Sequence, residues 1–100
     1  MMVIENAIIT IDPAMADTFE KAVAQGAPIF RAATGCHGMA LQRIVDDPAR
    51  YRLIVTWETI AHHVPMFWET PGFKEWQGLV AKYFADVPSL EYNEVVQTYF

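Results

Sequence analysis

Only one cysteine, Cys36, occurs in the 100 residues of this chain. An internal disulfide is therefore excluded, and so is a zinc site built on several thiolates. A lone thiol fits a reducing compartment, and the cytoplasm is the expected location. Basic residues are also few, with 7 Lys and Arg against 12 Asp and Glu and a net charge of −5. They are scattered and form no stripe that could track a phosphate backbone, so nucleic acid is not an expected partner. No apolar run approaches the ~20 residues that cross a bilayer, so no membrane span is expected. The first residues lack a charged segment ahead of their apolar stretch and do not read as a secretory signal. Glycines number only 5. They build no phosphate loop or dinucleotide fingerprint, and no Ser-His-Asp pattern is present.

Apolar side chains are abundant, at 53% of the residues. That is above the usual share for a soluble domain. One hundred residues make a single domain, 1–100, with one core. The surplus apolar surface predicts burial against a second copy of the chain.

Residues 2–11, MVIENAIITI, read as a first strand. Ile4, Asn6 and Ile8 share one face, and Val3, Glu5, Ala7, Ile9 and Ile11 share the other. Both faces are largely apolar, which predicts a strand covered on both sides. Asp12 and Pro13 then suit the cap and first position of a helix, whose inner face would be Met15, Phe19, Ala22 and Val23. Gly26-Ala27-Pro28 predicts a kink, and Thr34-Gly35 the end of that helix. His37 to Val45 form a second strand, Asp46 to Ala49 a turn, and Tyr51 to Trp57 a third strand returning antiparallel.

Thr59 caps a short segment carrying His62, His63, Phe67 and Trp68, which Pro65 should bend. Thr70-Pro71 starts a last helix with Phe73, Trp76, Val80 and Tyr83 along one face. Val87-Pro88 closes it, and Leu90 to Tyr99 form a fourth strand. The order β-α-β-β-α-β is the ferredoxin-like unit, an α+β fold with a four-stranded antiparallel sheet. Both helices cover one face of such a sheet. The apolar residues left on the other face predict two copies packed sheet to sheet.

The run WETIAHHVPMFWETPGFKEW resembles the W-[DE]-T-[LI]-x-x-H-x3-F…F-x-x-W signature of the antibiotic biosynthesis monooxygenase (ABM) domain, through Trp57, Glu58, Thr59, His63, Phe67, Phe73 and Trp76. GCHGMALQRIVDDPARYRLIVTWE is similar to the G-C-x-G…D-P-x-R-Y-x-L-x-x-x-W-[DE] run of that family, and VPSLEYNEVV resembles its final strand. The resemblance implies a homodimeric α/β barrel. It also implies a cofactor-independent monooxygenase that acts with dioxygen on a small electron-rich aromatic, such as a phenol or anthrone. Two alternatives stay open: a non-enzymatic dimeric module binding a small ligand, and a haem-binding or haem-degrading relative. For the haem reading Asn6 fits the family's asparagine, but Phe67 and Gln77 stand near its tryptophan and iron-binding histidine. Haem ligation is therefore not expected. No metal site is expected either, because no ligand set recurs at helical spacing.

The candidate catalytic residues are Asn6 and His63. An amide such as that of Asn6 donates and accepts without titrating, so it could hold a phenolic oxygen or simply be tied to backbone. His63 could serve as a general base or brace its segment, and no orienting partner is visible in the sequence. Trp57, Phe67, Trp68, Trp76 and Tyr83 could wall an aromatic slot or belong to ordinary core, with Trp57 read as core and Phe67, Trp76 and Tyr83 as the substrate-binding candidates. Arg43 could meet a substrate anion or form an ion pair between strands or subunits.

Overall fold

The computed structural model describes residues 2–100. β1 (Val3–Thr10), α1 (Ala16–Ala32), β2 (Cys36–Arg43), β3 (Arg50–Trp57), α2 (Pro71–Val80) and β4 (Ser89–Asn93) follow in the expected order. The strands form one antiparallel sheet in the order β2-β3-β1-β4. Asp12 accepts from the Ala14 amide at 3.0 Å and Pro13 opens a short 3-10 turn that feeds α1. At α2, Thr70 accepts from the Phe73 amide and Pro71 takes the first position. Each cap satisfies an amide that the helix itself cannot.

The helices lie on one face. Phe19, Ala22, Val23 and Phe30 of α1 and Trp76 and Val80 of α2 bury against Ala7, Ile9, Tyr51, Leu53, Val55 and Trp57 of the sheet. Strand alternation fixes the parity. Glu5 pairs across β1 and β3 with Val55 and therefore faces the helices, whereas Asn6 pairs with Ile54 on the open face.

The sheet does not close into a barrel. Its outer strands β2 and β4 remain unpaired edges separated by β3 and β1, and four strands are about half the number that a small closed barrel needs. The expected dimeric α/β barrel is thus corrected to an open ferredoxin-like sheet in a single chain. The open face is also more polar than β1 alone suggests. Arg52 and Thr56 flank Ile54 on β3, and Gln42, Glu91 and Asn93 occupy the outer strands.

Smaller expectations also change. α1 runs through Pro28 without a break, since the proline removes one amide donor but neighbouring turns keep theirs. Met15 precedes α1 and is exposed. β2 stops at Arg43, leaving Val45 at the turn and in solvent. α2 ends at Val80, followed by a 3-10 turn over Ala81–Tyr83, well before Pro88. β4 ends at Asn93, which pairs with Ile4 of β1. Around Pro65 the chain is irregular as expected, with Val64 extended. His62 lies over Gly35, whose φ of 79° suits glycine. No helix among the described residues is long and apolar enough to cross a membrane.

Candidate active site

A cavity of about 310 Å³ lies between the sheet and α2. Its walls are Phe67, Phe73 and Trp76, with Ala7, Leu53 and Val80 beneath. Its polar lining includes Glu5, His63 and Gln77. A larger hollow of about 620 Å³ between α1 and β2 has Phe30 as its only carbocyclic ring and no buried polar group. The smaller cavity is the candidate site, because an apolar pocket with a few convergent polar groups is the usual form of a ligand site.

The sequence builds the aromatic wall from adjoining segments. The irregular stretch around Pro65 delivers His63 and Phe67 inward, and Trp57 at the end of β3 stacks against the His63 ring at 5.2 Å between centroids. Phe30 of α1 meets Phe67 at 4.9 Å and meets Trp76 edge-on at 4.8 Å. Trp76 in turn rests on Gly26, where a Cβ would overlap the indole.

Glu5 and His63 are buried polar side chains in an otherwise apolar core, at 6% and 3% exposure. Glu5 Oε1 accepts from Trp57 Nε1 at 2.9 Å and lies 3.3 Å from His63 Nε2. Trp68 Nε1 donates to the same imidazole nitrogen at 3.2 Å, and His63 Nδ1 lies 2.6 Å from the Tyr92 hydroxyl. The Trp68 donor makes Nε2 an acceptor, so the ring proton of neutral His63 sits on Nδ1 and is donated to Tyr92.

Burial shapes the titration of both groups. It pushes the Glu5 carboxyl up to about 7, against a smaller opposing effect of the Trp57 hydrogen bond. It pushes His63 down to about 4. Near neutrality the imidazole is therefore uncharged, while the carboxyl is close to half ionised. Burial also raises the Tyr92 hydroxyl, and the Glu5 charge adds to that effect. Such a pair can accept, hold and pass a proton without a second charge being buried.

The predicted residues divide between two places. His63, Phe67 and Trp76 come together at the cavity. Asn6 lies on the open face of the sheet, where its Nδ2 is 3.5 Å from Asn93 Oδ1 and its own Oδ1 has no partner. Arg43 donates to Glu20 of α1 at 2.7 Å, and that carboxylate also accepts from Tyr51 Oη at 2.6 Å. Tyr83 packs edge-on to Phe19 at 6.0 Å, outside the cavity lining. Sequence reasoning missed Glu5 and Tyr92, and it read Trp68 as a ring of the slot rather than as a partner of His63. A signal for Glu5 was present: it is the one charged residue on an otherwise apolar strand face.

An open antiparallel sheet with two helices on one side and a ring-walled cavity beneath the second defines a class of small α+β ligand-site domains. Residues 2–79, a span that holds Glu5, His63, Phe67 and Trp76, match the family described as antibiotic biosynthesis monooxygenase, and the chain belongs to that family. It is 30% identical over 95 residues to the uncharacterized protein YczJ of Bacillus subtilis (strain 168), covering 95% of this chain and 100% of that one. A solved structure from Bordetella bronchiseptica, described as a candidate antibiotic biosynthesis monooxygenase, shares 41% identity with a TM-score of 0.93, covering 96% of this chain and 98% of that one. SnoaB, a cofactor-independent oxygenase from Streptomyces nogalater solved in a mutant form, superposes with a TM-score of 0.79 at 21% identity, covering 98% of this chain and 96% of that one. At that identity the last likeness establishes the fold alone.

Proposed function

We propose that this protein is a cofactor-independent monooxygenase acting on a small electron-rich aromatic, of the phenol or anthrone type, with dioxygen. The observation that carries the reading is the buried Glu5–His63 pair set in the wall of an aromatic cavity of about 310 Å³. Phe67 and Trp76 hold the flat substrate, and His63 helps to move its proton. Loss of that proton makes the substrate anion electron-rich enough to reduce dioxygen. The substrate supplies all the electrons: one oxygen atom enters the product as a new carbonyl, and the other leaves as water. The protein's own contribution is to position the ring and keep water away. Membership of a family that contains monooxygenases supports the reading.

The same proposal places the protein in the cytoplasm, as a homodimer joined through the open sheet face, where Ile4, Ile8 and Ile54 stay partly exposed. Oxygen uptake with a panel of hydroxylated anthrones and naphthols tests the activity. Uptake above the uncatalysed rate, abolished when Phe67 and Trp76 are both replaced by alanine in a folded variant, is the expected result. No uptake with any member of the panel removes the reading.

A further inference from the structure

The proposed reaction needs a group that takes the substrate's proton, and His63 is badly placed to do so alone. Its Nε2 already accepts from Trp68, and its Nδ1 is turned to Tyr92. Glu5 differs. Oε1 accepts from Trp57 and lies beside His63 Nε2, whereas Oε2 has no hydrogen bond among the described residues. Oε2 is not sealed in the core either, since among the described residues the one fully buried polar side-chain atom left unpartnered is Asn6 Oδ1. Glu5 is also the only carboxylate lining the cavity.

We propose that Glu5 is the catalytic base of this site, and that His63 and Tyr92 form the route by which its proton reaches the surface. The inference rests on the oxygenase reading for its substrate class. The O–H or activated C–H bond of the substrate breaks, its electron pair stays on the substrate, and the proton binds Glu5 Oε2. Net charge inside the cavity is unchanged by this step. Rotation of the carboxyl brings that proton to the side facing His63. It then passes to Nε2, displacing the Trp68 N–H from that nitrogen, as the Nδ1 proton moves to Tyr92 and the Tyr92 hydroxyl proton leaves. Tyr92 is partly exposed and ends the chain of contacts. When the anion reacts with dioxygen, the same route returns a proton to the departing water. The titratable groups facing Glu5 are His63, Tyr92 from β4 and Cys36 from β2. None is a cation near neutrality, so nothing competes for the carboxylate.

Hydrogen–deuterium exchange at the acidic carbon of a dihydroxyanthrone, followed without dioxygen in heavy water, reads the proton step apart from oxidation. The wild type should speed exchange over the buffer rate, and Glu5→Gln should reduce the enzymatic rate at least a hundredfold, the usual reach of a general base. Tyr92→Phe, which keeps the ring but breaks the route, should slow exchange without abolishing it. Should Glu5→Gln fail to fold, Glu5→Asp serves, with exchange reduced and its pH profile displaced. Exchange by the wild type that Glu5→Gln loses, without oxygen uptake by either, sinks the oxygenase reading and keeps Glu5 as base. Oxygen uptake by the wild type together with unaltered exchange in folded Glu5→Gln overturns the role of Glu5 and leaves the oxygenase standing. Neither exchange nor uptake in the wild type overturns both.

Discussion

Glu5 Oε1 and His63 Nε2 stand 3.3 Å apart, and burial moves their titrations in opposite directions. Glu5 goes up from 4.5 to about 7, so the folded chain keeps a proton that the unfolded chain loses. Its contribution to stability is complete below pH 4.5 and is lost as pH rises through 7. His63 goes down from 6.5 to about 4, so its contribution is complete above pH 6.5 and is lost as pH falls through 4. Between pH 4.5 and 6.5 the two slopes oppose each other and nearly cancel. Relative to wild type, Glu5→Gln should therefore gain stability as pH rises through that window, and His63→Gln should lose it. Each slope should be on the order of 1 kcal/mol per pH unit. Urea unfolding at stepped pH measures both, and parallel profiles for wild type and variants would refute the opposed titrations.

Trp76 lies against Gly26, and that contact joins the helices to the cavity. Alanine in the middle of a helix is worth about 1 kcal/mol over glycine by propensity. Here the added methyl would meet the rigid six-membered ring of the indole, which cannot swing aside as a flexible chain end would. Overpacking of this kind costs roughly 1–3 kcal/mol, so strain should win over propensity. Gly26→Ala should be less stable by up to about 2 kcal/mol net. It should also narrow the cavity by pushing Trp76 inward. Thermal unfolding and naphthol titration by tryptophan fluorescence would show the two effects together. A stabilised variant with unchanged binding would mean that the indole has room to move.

Much of this architecture could be read from the residues, and the limits have physical causes. Local chemistry announced the elements: Asp12-Pro13 and Thr70-Pro71 start helices, and the heavy alternation of Tyr51, Leu53, Val55 and Trp57 marks β3. The parity of β1 was harder. Ile4 and Ile8 make one face as apolar as Ala7 and Ile9 make the other, so alternation alone could not tell which face the helices cover. Attention fell on Asn6, the polar residue of the wrong face. Only pairing with β3 settles the matter, by setting Glu5 opposite Val55. His63 had no visible orienting partner because Glu5 and Tyr92 come from β1 and β4, near the two ends of the chain, and Trp68 reaches it only through the irregular turn around Pro65. The length of β4 was overdrawn because Val95, Val96 and Tyr99 look like strand residues, yet no neighbour pairs with them and they stay exposed.

Arg43 and Phe67 provide a contrast between residues outside and inside the cavity. Arg43 spends its guanidinium on Glu20, on the helix side of the edge strand β2. Arg43→Ala should leave oxygen uptake and naphthol affinity within twofold of wild type. Phe67 is buried in the wall, touching Phe30, Trp57 and Phe73. Phe67→Leu keeps most of the volume, so it should cost less than about 1.5 kcal/mol of stability. It removes the ring face, however, and aromatic pairing contributes about 0.5–1.5 kcal/mol beyond buried area. Naphthol affinity should then fall about two- to tenfold. Equal effects of the two substitutions on binding would move the site away from this cavity.

Trp68 controls which nitrogen of His63 carries the proton. Its indole N–H donates to Nε2 at 3.2 Å, which keeps the ring proton on Nδ1 and turned to Tyr92. Phenylalanine at this position retains a ring that can pack beside Phe73, as the indole does at 5.4 Å. It removes only the donor. In Trp68→Phe, Nε2 is free to take a proton and offer it to Glu5 Oε1, its nearest acceptor. The imidazole should then gain a second proton at a higher pH than in wild type, because an ion pair with the ionised carboxylate becomes accessible. Nitrogen chemical shifts of labelled imidazole should report the Nδ1–H form alone in wild type above pH 5 and a growing Nε2–H or doubly protonated fraction in the variant. Identical shifts in both proteins would show that Tyr92, rather than Trp68, dictates the tautomer. In that case the hydroxyl of Tyr92 is the group whose removal should redistribute the proton.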